Sequence, residues 1–182
     1  MAVTEKHPLE PFLPQNARIL MLGSFPPPQT KWSMHFFYPN WINDMWRVMG
    51  LLFFGDRHHF ELKGEKRFDK EAVVEFCTVQ GIALYDTACE VVRLKENASD
   101  KFLEITTPTD IAALLEQLPH CTAIVTTGQK ATDTIVETFD CTTHQWAARA
   151  PCTLPGASTV SGACRRHRVP TRLHWKRKRI TI

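Results

Sequence analysis

"ARILMLG", residues 17–23, is a compact apolar run that closes on glycine, and the three prolines at 26–28 stop its continuation as regular structure. The run does not alternate between apolar and polar residues. It therefore fits a strand of a parallel sheet covered on both faces, not a strand with one wet face. "GIALYDTA" (81–88) and "CTAIVTTGQK" (121–130) repeat the arrangement, each apolar at its centre and polar where it closes.

Helical patterns lie between these runs. Residues 43–54 open with Asn-Asp and carry Met45, Trp46, Met49 and Leu52 at the spacing of one helix face, and residues 69–79 place Val73, Phe76 and Cys77 similarly. "TPTDIAALLEQL" predicts a helix with Thr107 as N-cap, Pro108 at the first helical position and Asp110 in the first turn. "GQKATDTIVETF" predicts another after the third strand. Strands alternating with helices imply right-handed crossovers and an α/β fold. The expectation is a three-layer α/β/α sandwich around a central, mainly parallel sheet of about four strands. Ligands of such sheets bind where loops leave the carboxyl ends of the strands, which nominates residues 23–43, 85–97 and 126–130.

The chain has 182 residues, of which 43% are hydrophobic, enough for one domain with its own core. No apolar stretch approaches a membrane-spanning length of about 20 residues, and no charged-then-apolar leader opens the chain, so a cytoplasmic protein without membrane contact is expected. The six cysteines occur singly, without C-x-x-C pairs or histidines at ligand spacing. This argues against a zinc site or an iron–sulfur cluster, and no cofactor is expected.

The net charge of +3 conceals a division. Residues 1–140 contain all 19 acids against 13 Lys and Arg, whereas residues 141–182 contain nine basic residues and no acid. The first part is read as an α/β domain and the second as an atypical basic segment.

The loop after the first strand is the most unusual stretch: "LGSFPPPQTKWSMHFFYPNWINDMW", residues 22–46. Phe36, Phe37 and Tyr38 could offer a flat apolar face, and stacking on a nucleobase contributes about 1–3 kcal/mol per base. Asn40 and Asn43 add amides able to bond a base edge or hold a water. Rings and amides at a strand end fit a pocket for an extruded base. Equally, Met45 and Trp46 suit a helix core, Phe36 or Phe37 could plug the loop onto the domain, and His35 could be an ordinary loop histidine.

The order "ILMLGSFP", an aromatic pair, Pro-Asn and N-x-x-W, then "GIALYDTACEVVRLKENASDKFLEI", then "CTAIVTTGQKATDTI" resembles the uracil-DNA glycosylase superfamily. Within it, the likeness is to the mismatch-specific uracil and hypoxanthine-DNA glycosylase branches, over residues 17–139. The resemblance implies a single α/β/α domain that flips a damaged or mismatched base out of DNA and hydrolyses its N-glycosidic bond without a metal or redox cofactor, and a monomer is expected. It implies that Phe36 or Phe37 stacks on the flipped base, with Gly23, Ser24 and Phe25 against it. Phe25 stands where most branches have Asn or Asp, and an apolar side chain cannot orient water. The resemblance therefore points to Asn40 as the catalytic amide, with Asn43 as second choice. Asp86 and Thr87 match the loop after the second strand, and Ser99 a nearby polar position that suits a turn as well. Thr127, Gly128, Gln129 and Lys130 place backbone amides and a cation at a helix start, suited to a DNA phosphate or to a plain N-cap.

A fourth strand and a second, Pro-Ser-containing loop are expected near residues 155–170, and "GACRRHRVPTRLHWKRKRITI" has neither. Codons can be chosen from Cys164 onward that, read from the last base of the Ala163 codon, encode MPSTSRAYPLALEKKA, which holds the missing Pro-Ser-Thr-Ser. Residues from about 141 are thus read as a frameshifted end that has lost the fourth strand, leaving the enzyme impaired. The alternative is a genuine basic arm on a non-catalytic nucleic-acid-binding module. A nucleotide-dependent enzyme is disfavoured because "GSFPPP" lacks the repeated glycines and Lys of a phosphate-cradling loop.

Overall fold

The computed structural model describes residues 4–94 and 102–139. In chain order the elements are β1 (Thr4–Lys6), β2 (Ile19–Gly23), α1 (Met45–Phe54), α2 (Lys70–Gln80), β3 (Ile82–Asp86), β4 (Ala88–Arg93), β5 (Leu103–Pro108), α3 (Ile111–Glu116), β6 (Ala123–Thr126) and α4 (Gln129–Thr138). The three apolar runs form one parallel sheet in the order β3-β2-β6. β3 is buried along its whole length, and β2 is buried from Leu20 to Gly23, as continuous apolar runs require. Among the described residues this sheet has three strands, and the outer edge of β6 pairs with none of them. The expected fourth strand falls in residues 141–182, outside the described residues, as does Ser99.

A second, antiparallel sheet was not anticipated. Its order is β1-β4-β5, and only Thr87 separates β3 in the parallel sheet from β4 in the antiparallel one. Thr107 and Pro108, expected to start a helix, instead end β5, where Pro108 pairs with Ala88. β5 is an edge strand among the described residues, the place where a sheet tolerates a residue that cannot donate. The helix starts three residues later: Asp110 is the N-cap, its carboxylate accepting the Ala113 N–H at 3.0 Å.

The other helices begin where their polar residues indicate. Asp69 caps α2 by accepting the Ala72 N–H at 3.1 Å, and Gly81 closes it at φ 66°, where a Cβ would meet the Asn16 carbonyl oxygen at 2.7 Å. Helix α2 buries Val73, Phe76 and Cys77. Helix α1 buries Trp46 and Gly50, whereas Leu52, expected on the same face, is 71% exposed. The residues i and i+4 face the core, and Leu52 lies well around the helix from that line.

One core joins the parallel sheet to the helices through Leu20, Leu22, Leu84, Trp46, Phe60 and Ile135. Full burial of each such side chain contributes roughly 1.5–3 kcal/mol. Trp46 also fixes the long loop between β2 and α1, because its indole N–H donates to the Phe37 carbonyl at 3.0 Å.

Candidate active site

The parallel register aligns Gly23 with Asp86 and Leu22 with Thr126, so the loops leave from one end of the sheet. A cavity of about 350 Å³ opens there. Gly23, Ser24, Phe25, Phe37, Asn40, Asn43, Asp86 and Thr127 all line it, as do Tyr38 and Ile42. Residues far apart in sequence are thus brought together by strand pairing.

Of the two candidate stacking rings, only Phe37 lines the cavity. Phe36 packs edge-on against Phe12, with ring centroids 5.2 Å apart, and belongs to the core. Phe37 is held edge-on to Phe36 at 5.2 Å and belongs to the same core, so the ring that lines the cavity is packed firmly from behind. Phe25 meets the His7 ring edge-on at 5.3 Å.

Asn40 and Asn43 sit on one short turn, closed by the Asn43 N–H donating to the Asn40 carbonyl at 2.9 Å. Asn40 Oδ1 accepts the Ile42 N–H at 3.2 Å, and Asn43 Oδ1 accepts the Met45 N–H at 2.9 Å. Each amide oxygen retains a second lone pair, and each side-chain NH₂ group a pair of donors. Arg47 anchors the turn: its guanidinium donates to the Trp41 carbonyl at 2.8 Å, pairs with Glu61 and lies 4.4 Å from the Trp41 ring centroid. Glu61 is held below the usual carboxylate range by its hydrogen bonds to His58 and Arg47, which outweigh the opposing effect of burial.

Asp86, at the end of β3, is buried and packs against the Cα of Gly23, so closely that a Cβ on residue 23 would collide with its Oδ1. The glycine is what permits the contact. Oδ2 accepts a hydrogen bond from His7 Nε2 at 3.0 Å, with the two side chains only 8% and 2% exposed. His7 Nδ1 lies 2.8 Å from the Leu9 carbonyl oxygen, so the ring is clamped at both nitrogens. His7 reaches this place because β1 pairs with β4 and the His7 N–H continues the ladder to the Cys89 carbonyl at 2.8 Å. Sequence reasoning missed His7, and "HPLEPF" carries no signal that β1 would lie beside the end of β3. Thr109 supports the same corner by donating its hydroxyl to the Asp86 carbonyl at 2.8 Å.

Tyr38 adopts φ 50°, unusual for a residue with a side chain, and its hydroxyl lies 3.0 Å from Thr127 Oγ1. Burial, and secondarily the charge of Asp86, push its pKa upward, so it is a neutral wall of the cavity. The Thr127 N–H is also committed, to the Leu22 carbonyl at 3.0 Å. Gly128, Gln129 and Lys130 continue into α4 and are not part of the cavity lining. His35 is exposed, its ring 5.3 Å from Trp32.

Among the described residues no group of three His, Cys, Asp or Glu side chains is arranged to hold a metal ion. No helix among them is long and apolar enough to cross a membrane.

No protein-family model and no curated protein matches the sequence. Among solved structures, the chain is similar to a solution NMR structure from Methanosarcina acetivorans described as a "putative uracil DNA glycosylase". The two are 22% identical, with a TM-score of 0.53, over 76% of this chain and 80% of that one. The likeness establishes the fold: this chain is built on the same α/β framework as that protein.

Proposed function

We propose that the cavity at the ends of β2, β3 and β6 is the base pocket of a DNA glycosylase acting on a deaminated or mismatched base of the uracil or hypoxanthine type. One observation carries the reading. The parallel sheet gathers a buried ring, Phe37, two amides, Asn40 and Asn43, and a buried carboxylate, Asp86, around one space of about 350 Å³. That combination suits a planar heterocycle whose edge carries donors and acceptors and whose hydrolysis needs an oriented water. In this reading Phe37 stacks on the base, and Gly23, Ser24 and Phe25 border it. Asp86 accepts from a ring N–H, and Asn40 or Asn43 orients water for attack on C1′. The backbone N–H groups of Gly128 to Lys130, at the start of α4, take a phosphate, with Thr127 leading into them. The neighbour of the same fold, described as a uracil DNA glycosylase, agrees with this.

Residues 1–140 form the glycosylase-like domain, and the three-layer sandwich is completed by a fourth strand in a frame-restored chain. Sequencing the source DNA tests this, since the frameshift requires an overlapping frame that encodes Pro-Ser-Thr-Ser. The chain as it stands is then an impaired enzyme.

A second reading, a nucleic-acid-binding module without catalysis, draws on the engagement of both amide oxygens with backbone N–H groups, which leaves each a single lone pair. Release of free base from uracil- and hypoxanthine-containing duplexes separates the two. The glycosylase reading expects release by the frame-restored chain, reduced about 10²–10³-fold by Asn40→Ala or Asn43→Ala, the scale for loss of one positioned polar group. Binding without release by the frame-restored chain would sink it.

A further inference from the structure

His7 stands behind the cavity wall without forming part of the lining. Its ring lies edge-on to Phe25 at 5.3 Å and tilted against Phe37 at 6.3 Å, and its Nε2 bonds Asp86 Oδ2 at 3.0 Å. One side chain, 2% exposed, thus touches three lining residues, two from the loop after β2 and one from the end of β3. Tyr85, with ring centroids 4.7 Å apart, holds the imidazole from the sheet side.

Leu9 can meet the other ring nitrogen in two ways, because Nδ1 lies 2.8 Å from its carbonyl oxygen and 3.2 Å from its backbone nitrogen. A neutral ring with its proton on Nε2 accepts the Leu9 N–H at Nδ1, and a doubly protonated ring donates from Nδ1 to the carbonyl. Both forms aim an Nε2–H at Asp86. The remaining tautomer would set a lone pair against a buried carboxylate, which is costly. Asp86 is therefore held as an acceptor: one oxygen takes the His7 proton and the other is confined by the Cα of Gly23. The little of its carboxylate left open belongs to the cavity wall.

We propose that His7 is a positioning residue that makes the cavity select a heterocycle whose edge presents a ring N–H over one that presents a bare ring nitrogen. This role rests on the reading of the cavity as a base pocket. Uracil and hypoxanthine carry such an N–H beside a carbonyl, whereas cytosine and adenine carry a lone pair at the same place, which a fixed carboxylate repels. Without the Nε2–H the carboxylate is free to turn, and the distinction fades.

The test titrates the unmodified full chain, His7→Phe, His7→Gln and a core truncation outside the lining, Ile135→Val, with free uracil and with free cytosine. Binding is followed by the backbone amide NMR shifts of Gly23 and Asp86. The unmodified chain is expected to bind uracil about tenfold or more tightly than cytosine, the scale of one hydrogen bond to a charged group. His7→Phe removes that preference, His7→Gln restores most of it through its side-chain N–H, and Ile135→Val keeps it. In the unmodified chain uracil, and not cytosine, moves the imidazole Nε2–H resonance of His7. A preference kept by His7→Phe, or lost equally with Ile135→Val, overturns the assignment, as does a failure of both bases to bind. The glycosylase reading is judged apart, by base release from the frame-restored chain. Release with no role for His7 leaves that reading standing, and uracil selectivity without release sinks catalysis alone.

Discussion

His7 Nε2 lies 3.0 Å from Asp86 Oδ2 although 79 residues separate them, and both side chains are shut away from solvent. A buried carboxylate needs such a donor, because an unmade hydrogen bond in the interior costs the desolvation of the group left behind. His7→Phe fills similar space and removes the donor. It is expected to lower stability by about 1–3 kcal/mol, with His7→Gln recovering part of the loss by restoring one N–H. Urea unfolding of the three chains measures this, and a His7→Phe chain as stable as the original would show that the pair contributes nothing.

Gly23→Ala places a methyl group against Asp86 Oδ1. The carboxylate must shift, either breaking its bond to His7 or swinging into the cavity. Overpacking of this kind costs about 1–3 kcal/mol in stability. On the proposed function, base release should fall further than the unfolded fraction explains. A crystal structure or Asp86 side-chain NMR shifts unchanged by the substitution would contradict this.

Arg47→Lys keeps the charge but loses the planar group that lies over the Trp41 and Phe68 rings and the fork that reaches Trp41, Asn43 and Glu61. Lysine cannot reproduce that geometry. The turn bearing Asn40, Ile42 and Asn43 is expected to loosen, with base release down about tenfold, equivalent to ~1.4 kcal/mol. Hydrogen exchange of the Ile42 and Asn43 amides reads the loosening directly. Exchange as slow as in the original would refute it.

Burial pushes the Cys77 thiol up to about 12. Tyr38 and Tyr85 are raised by burial as well. Each group is neutral in the folded chain at a pH where its unfolded counterpart has ionised. Stability is therefore fully present below the unfolded thiol value of about 8.5 and declines above it, by up to ~1.4 kcal/mol per pH unit per group until the folded value is reached. The tyrosines join from about pH 10. Urea midpoints from pH 7 to 11 should fall on the alkaline side, and Cys77→Ala, although less stable throughout, should fall less steeply between pH 9 and 10. Parallel curves would remove Cys77 as a cause.

Much of the framework was legible because burial on both faces leaves a local mark. "ARILMLG", "GIALYDTA" and "CTAIVTTGQK" are apolar throughout their centres, and they form one sheet in which β2 pairs with both β3 and β6. The antiparallel sheet left no such mark. β4 and β5 are mixed in burial, so neither a strand period nor a helix period stands out, and the Thr-Pro before Asp110 looked like a helix start. The loop at residues 22–46 was recognisable as a ring-and-amide cluster. Its spacing did not distinguish Phe36 from Phe37, since neighbours in an irregular loop have no fixed period.

By itself, the sequence determined the strand and helix succession of the parallel unit and the end of the sheet where loops would converge, because both follow from local periodicity and right-handed crossovers. Only the tertiary structure decided that, of two rings in the core, Phe37 also lines the cavity and Phe36 does not, that Ile42 stands at the rim, and that His7 from the chain's start clamps Asp86. Those outcomes depend on register and packing between distant segments. No window of neighbouring residues contains that information.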